Sequence, residues 1–429
     1  MKYHPIAKEL FIENRKRFAA KMDSGATAIF NSNDEMSRCG DANFLFRQQS
    51  DIYYLSGIDQ EQTILIISPD CPLPQYREVL FLRKTNEHIA VWEGHKYTKE
   101  EARAASGINT IFWLEEMDAI MTIIVNHSAA IYLNLNENDR FSSPVPYRDL
   151  RFAQEFTKAH PGHRICRSAP IMATLRSIKS DLEINAMKEA MRITELAFRR
   201  VLAFTKPGVM EYEIEAEITH EFLRNRATGH AYTPIIASGP SACVLHYNDN
   251  NQECKDGDII LMDFGAEYAN YAADLTRCIP VNGKFTKRQK DVYNAVLRVM
   301  RAATSMLMPG NTIENYHKEV GFVMEQELIG LGLLTQEEVK NQNPASPAYK
   351  KYFMHGTSHF LGLDVHDIGD RYAPMQAGMV FTCEPGIYIP AEGIGIRLEN
   401  DILLSEKGPI DLMASIPLEA DDIESLMAK

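Results

Sequence analysis

No run of apolar residues in this chain approaches the ~20 that a membrane-spanning helix needs. The opening stretch, MKYHPIAKELFIENRKRFAAKM, is charged every few residues and lacks the apolar core of a secretory signal. The seven cysteines, at 39, 71, 166, 243, 254, 278 and 383, include no Cys-x-x-Cys. Their odd number and scatter argue against a disulfide framework or a zinc knuckle, so reduced thiols are expected. A cytoplasmic location follows as the expectation. Also missing are a Gly-rich phosphate loop in roughly the first 170 residues, a low-complexity segment and the His-Glu-x-x-His of zinc proteases. Positive charge is scarce: 45 basic residues stand against 58 acidic ones, a net charge of −13. Nucleic-acid binders need a concentrated basic surface. Neither nucleic acid nor a membrane is therefore an expected partner.

What is present is ordinary for a soluble globular protein: 24% charged and 45% hydrophobic residues over 429 positions, enough for two or three domains. Residues 1–172 mix short apolar runs, Ile64-Leu65-Ile66-Ile67, Val79-Leu80-Phe81-Leu82 and Ala129–Leu133, with helical patterns, which predicts an α/β domain. A break follows. Ser180-Asp181-Leu182-Glu183 is a capping box, and Ile184, Met187, Met191, Phe198 and Val201 recur behind it at near-helical spacing. Further helices are predicted over about 211–226, 286–308 and 312–331, and strands over about 258–266, 271–280, 379–389 and 396–404. Blocks of helices and antiparallel strands make residues 173–429 an α+β domain.

Two of its predicted hairpins each carry a pair of acids. With the first turn centred between 268 and 269, Asp263 faces Asp274; with the second centred between 391 and 392, Glu384 faces Glu399. Opposed carboxylates repel on a sheet, and burying them among apolar neighbours is costly or drives protonation. Two such pairs call for cations, and four carboxylates carry charge enough for two divalent ions. A nitrogen ligand is at hand in the segment 354–366, where His355, His359 and His366 fall within twelve residues.

These residues resemble the pita-bread metallopeptidases, the group that includes methionine aminopeptidase, prolidase and aminopeptidase P. Asp263 in Asp-x-Gly, Asp274 before Leu-Thr-Arg, His359 in His-Gly-x-x-His-x-x-Gly, Glu384 in Glu-Pro-Gly and Glu399 in Arg-x-Glu match that family's five metal ligands in order, over roughly residues 175–429. Arg47–Gly57 resembles the N-terminal signature of aminopeptidase P, implying a creatinase-like N-terminal domain. One departure is Asn400, where many relatives carry an acid.

The resemblance implies two divalent ions per subunit, commonly manganese with zinc or cobalt as alternatives. Asp274 and Glu399 would be shared between them, Asp263 would hold one, and His359 with Glu384 the other. It further implies that Glu384 takes the proton of the attacking water and passes it to a leaving proline nitrogen. His246 and His366 would hydrogen-bond the substrate carbonyl, while His355, Arg397 and Tyr388 would shape the proline pocket. Trp92 resembles an aromatic supplied to a neighbouring subunit, with a buried core tryptophan as the alternative. The implied reaction is release of an N-terminal residue from a following proline in peptides, by a homodimer or homotetramer. A prolidase confined to Xaa-Pro dipeptides, and more remotely a non-enzymatic binding protein on the same fold, remain as alternatives.

Overall fold

The computed structural model describes residues 2–428. Backbone proximity divides the chain into two units, residues 5–176 and residues 1–4 with 177–429.

In the first unit the apolar runs become the middle of a six-stranded mixed sheet. Its order is Thr110–Trp113, Glu78–Leu82, Ile64–Ile67, Ala26–Asn31, Ala130–Leu133, Arg164–Arg167. Ala26–Asn31 pairs antiparallel with Ile64–Ile67 and parallel with Ala130–Leu133. Every residue of those three strands is buried, which is why they read as continuous apolar runs rather than alternating ones. Ile29, Ile66, Phe81 and Ile131 form the core with Ile124 from a covering helix. Each such side chain contributes about 1.5–3 kcal/mol by leaving water. The segment Arg47–Gly57 turns out to be structural. Ser50–Ser56 is a helix buried along its whole length, its start capped by the Gln49 side chain, which accepts from the N–H groups of Asp51 and Ile52. Gly57 ends it at φ 68°, where any Cβ would fall within 2.2 Å of the Phe11 ring. Trp92 is 77% exposed, which overturns the core alternative for it.

One buried acid makes this unit pH-sensitive. Burial, aided by the charge of Asp51 and opposed by hydrogen bonds from Asn31 and Asn134, pushes the Asp149 carboxyl up to about 7. A folded-state value above the unfolded one adds stability that is complete at low pH and is lost as pH rises through about 7. Asp149→Asn is therefore expected to melt like the parent at about pH 4 and at a higher temperature near pH 8. The gain should be on the order of a few kcal/mol. Thermal melts at the two pH values check it.

In the second unit the Ser180 capping box opens a 24-residue helix, Asp181–Phe204, whose Met187, Phe198 and Val201 are fully buried. Glu211–Arg224, Lys287–Met306 and Ile313–Gly330 follow, close to the ranges read from the sequence. The strands are short and antiparallel. All seven cysteines are free thiols. Among the described residues no helix is long and apolar enough to cross a membrane.

Candidate metal centre and active site

Each strand of the two acid-bearing hairpins is interrupted at or beside its acid. Ile259–Asp263 stops before resuming as Ala266–Tyr268, and Asp274 lies in the gap between Tyr271–Ala272 and Thr276–Pro280. Val380–Cys383 and Gly386–Ile389 are separated by Glu384 and Pro385, and Ile394–Arg397 and Asn400–Ser405 by Leu398 and Glu399. The breaks leave the carboxylates at the seam between sub-sheets, where the ladder no longer claims the neighbouring backbone.

The second hairpin has the register read from the sequence. Gly386 pairs with Arg397 on one side of the seam and Cys383 with Asn400 on the other, so Glu384 stands opposite Glu399. The first does not. Tyr268 pairs with Tyr271 around a two-residue turn in which Ala269 and Asn270 adopt φ 51° and 64°. Such left-handed pairs suit a tight hairpin. The turn centre lies one residue later than expected, and Asp263 pairs with Thr276 rather than Asp274. A two-residue change of partner preserves side-chain parity, so the two aspartates share a face as diagonal neighbours. The glycine of Asp-x-Gly is a steric necessity: a Cβ on Gly265 would sit 1.7 Å from the Ala273 carbonyl oxygen.

The carboxylates crowd one another. Tyr232 Oη bridges the pair, 2.6 Å from Asp263 Oδ1 and hydrogen-bonded as well to Asp274 Oδ1. Thr276 Oγ1 donates to Glu399 Oε2 at 2.6 Å, and the Asp274 N–H to Asp401 Oδ2 at 3.1 Å. Asp401 Oδ1 is buried with no hydrogen-bond partner. Burial, then the charges of Asp274, Glu384 and Asp263, push Glu399 well above the ordinary carboxylate range. Glu384 is pushed to about 7 by burial, against the pull of His359 and Arg397. Asp274 rises through burial despite its His359 hydrogen bond.

His359 completes the cluster. Its Nδ1 lies 2.9 Å from the Phe360 carbonyl oxygen, a placement that makes Nδ1–H the donor and turns the Nε2 lone pair inward. Nε2 is 3.5 Å from Asp274 Oδ2 and 3.7 Å from Glu384 Oε1. Ligand atoms of Asp274, His359 and Glu399 all lie within 4.8 Å of one another. The donor set, hard oxygens with one imidazole, suits a divalent first-row ion or zinc. The self-repelling carboxylates and the partnerless Asp401 oxygen show a charge deficit that a cation relieves. These residues fit a metal centre.

Beside it runs a proton-ordered chain. Arg397 pairs through Nη2 with Asp263 Oδ2 at 2.5 Å and donates through Nη1 to Tyr388 Oη at 2.8 Å. Tyr388 Oη in turn lies 2.8 Å from His355 Nε2. Burial, with the charges of Arg397 and His246 adding, holds the His355 imidazole neutral, down to about 3. A neutral His355 whose Nδ1–H is given to the Gly356 carbonyl accepts from Tyr388. Arg397 thus both neutralises the acids and fixes this chain. Tyr388 is fully buried, and its hydroxyl supports His355 from behind. His246 and His366 are exposed, and the His366 ring stands perpendicular to His359 at 4.4 Å. Asn400 has its own explanation. Its amide accepts from Arg277 Nη2 and donates to Asp411 Oδ2, each at 2.7 Å, whereas an acid would face Asp411 with like charge.

Tyr232 and Thr276 were missed in the sequence. Tyr232 was accessible in principle: Ile235, three residues on, pairs with Asp263.

Residues 185–406 match Metallopeptidase family M24, and residues 11–132 match the Aminopeptidase P, N-terminal domain. The chain is 34% identical to the Xaa-Pro aminopeptidase of Haemophilus influenzae, with 98% of each chain covered. Its backbone is similar to that of Escherichia coli aminopeptidase P with the inhibitor Pro-Leu, at TM-score 0.88 and 32% identity over 99% of both chains. The Pseudomonas aeruginosa aminopeptidase PepP gives 0.89 and 31%, over 99% of this chain and 98% of the other.

Proposed function

The chain belongs to metallopeptidase family M24, and on that premise we propose that it is a metal-dependent aminopeptidase releasing the residue ahead of a penultimate proline. The observation that carries the proposal is the gathering of Asp274, His359 and Glu399, with Asp263 and Glu384 beside them, as mutually repelling carboxylates around one imidazole, in a chain that aligns end to end with Xaa-Pro aminopeptidases.

Asp263, Asp274, His359, Glu384 and Glu399 would hold two divalent ions, most simply manganese. When bound, such ions supply an acidified water and polarise the scissile carbonyl. Glu384 accepts the proton of the attacking water and returns it to the proline nitrogen, whose lone pair must be protonated for the amine to leave. His246 and His366 donate to the carbonyl oxygen as it gains charge. Neutral His355, held by Tyr388 and Arg397, walls the proline site. Proline suits such a site because it brings no N–H that would be left without an acceptor.

The metal cluster serves this reading and a dipeptidase equally. The higher identity to Xaa-Pro aminopeptidases, 34% against 29% for the Xaa-Pro dipeptidase of Mus musculus, favours the aminopeptidase. A binding protein on this fold is disfavoured by the complete ligand set. We also propose a cytoplasmic enzyme that forms a homodimer or homotetramer through its N-terminal unit. Support comes from Leu45 and Trp92 of that unit, 80% and 77% exposed, since large apolar side chains so open to water mark interaction surfaces.

Chelated protein is expected to leave Xaa-Pro-Xaa tripeptides intact and to regain cleavage when manganese is restored. Xaa-Pro dipeptides should be poor substrates throughout. Cleavage confined to dipeptides would transfer the chain to the prolidases, and tripeptide cleavage that survives chelation would remove the metal from the mechanism.

A further inference from the structure

His246 stands on an exposed stretch, yet the loop that carries it is tied down with unusual thoroughness. Residues 239–251 leave the strand Ile235–Ser238 and return beside the start of the helix Glu211–Arg224. One side chain meets the loop at three points. Glu211, fully buried, accepts on Oε1 from the Ser238 N–H and Oγ–H, each at 2.7 Å, where the loop begins. On Oε2 it accepts from Tyr247 Oη at 2.8 Å, next to His246, and from the Gln252 N–H at 2.9 Å, where the loop ends. The Glu211 N–H closes the contact by donating to the Gln252 carbonyl at 3.0 Å. A second tie lies behind it: Asn250, at φ 45°, accepts from the Ile236 N–H and donates to Glu215.

Four donors converge on one carboxylate, and the charged form is the one that satisfies them all. The two hydroxyls can turn and accept, but the two backbone N–H groups cannot. One faces each carboxylate oxygen. An amide at this position would therefore set its NH2 against a backbone N–H whichever way it was flipped. A buried carboxylate so placed does more than fill space.

We propose that Glu211 is the positioning residue for His246, fixing the start, middle and end of its loop so that the imidazole is presented to the substrate carbonyl. This rests on the role given to His246 above. Glu211 touches no metal ligand side chain, so its effect should reach the reaction through the loop alone.

Glu211→Gln is expected to lower kcat about 10- to 100-fold, the usual cost of losing a group that orients a functional histidine, with a smaller change in KM. Metal content per chain should stay at the parent level. The decisive reading is the double variant. If Glu211 acts through His246, E211Q placed on His246→Ala should cost less than about twofold more, because the two losses are one loss. Should E211Q fail to fold, Tyr247→Phe carries the same test with a smaller single loss and the same absence of further loss on H246A. A full multiplicative loss on H246A, or loss of metal from E211Q, overturns the positioning role while leaving His246 in place. An H246A variant as fast as the parent overturns the role of His246 itself, and the clamp's purpose with it.

Discussion

Glu399→Ala is expected to abolish hydrolysis, a loss well beyond the ~100-fold that removing an outer partner of a metal ligand costs. Glu399 lies opposite Glu384, is held by Thr276 Oγ1 at 2.6 Å, and has ligand atoms within 4.8 Å of Asp274 and His359. Its removal takes away a charge that the proposed ions share. A distinctive consequence follows for stability. In the metal-free protein, burial and the neighbouring carboxylates raise Glu399 far above its unfolded value, so ionising it near neutral pH destabilises the fold. The alanine variant is therefore expected to be at least as stable as the chelated parent near pH 8, and less stable than the parent once manganese is added. Melting curves with and without metal, together with the tripeptide rate, check both halves. A variant that is inactive because it is merely unfolded would melt earlier in every condition.

Glu384→Gln is the second large effect, expected at about 10² to 10⁴-fold in kcat, the range for a general acid–base group. Glutamine keeps an oxygen toward the cluster but can neither take nor return a proton. Burial sets the Glu384 carboxyl at about 7 in the metal-free protein, against the attraction of His359 and Arg397. A bound divalent cation moves it down, so that the carboxylate is available as a base at working pH. The variant should therefore lose rate with little change in KM for the tripeptide, and its pH profile should lose the acid limb that the parent shows. A glutamine variant with parental kcat would assign the proton transfer elsewhere.

Much of this site was readable in the chain because period-two alternation survives small errors. The Glu384–Glu399 register was legible, since Gly393 at φ 63° ends the short Pro390–Glu392 turn and fixes the centre. The Asp263–Asp274 register was misread by two partners. The cause is local: Ala269 and Asn270 adopt left-handed conformations that an alanine does not advertise. Parity rescued the conclusion, because both acids still share a face.

Other features depend on tertiary placement and leave no local signal. Tyr232 precedes its strand, and only the pairing of Ile235 with Asp263 brings its hydroxyl to the acids. Tyr388 reads like any strand aromatic, and its burial behind His355 appears only with the Arg397 contact in view. The Arg47–Gly57 signature points to a domain type, while its residues serve a buried helix and its cap rather than chemistry. Asn400 departs from its relatives for a reason found eleven residues away or more, in the Arg277 and Asp411 side chains that it bridges.

The claim on which the rest depends is that five separated side chains gather enough uncompensated charge to hold two cations. Dialysis of the chelated protein against manganese, followed by counting the metal retained per chain, tests it most directly. Two ions per chain near pH 8, declining as acid reoccupies the raised carboxylates, is the predicted result. A chain that retains none while still cleaving Xaa-Pro-Xaa peptides would contradict it.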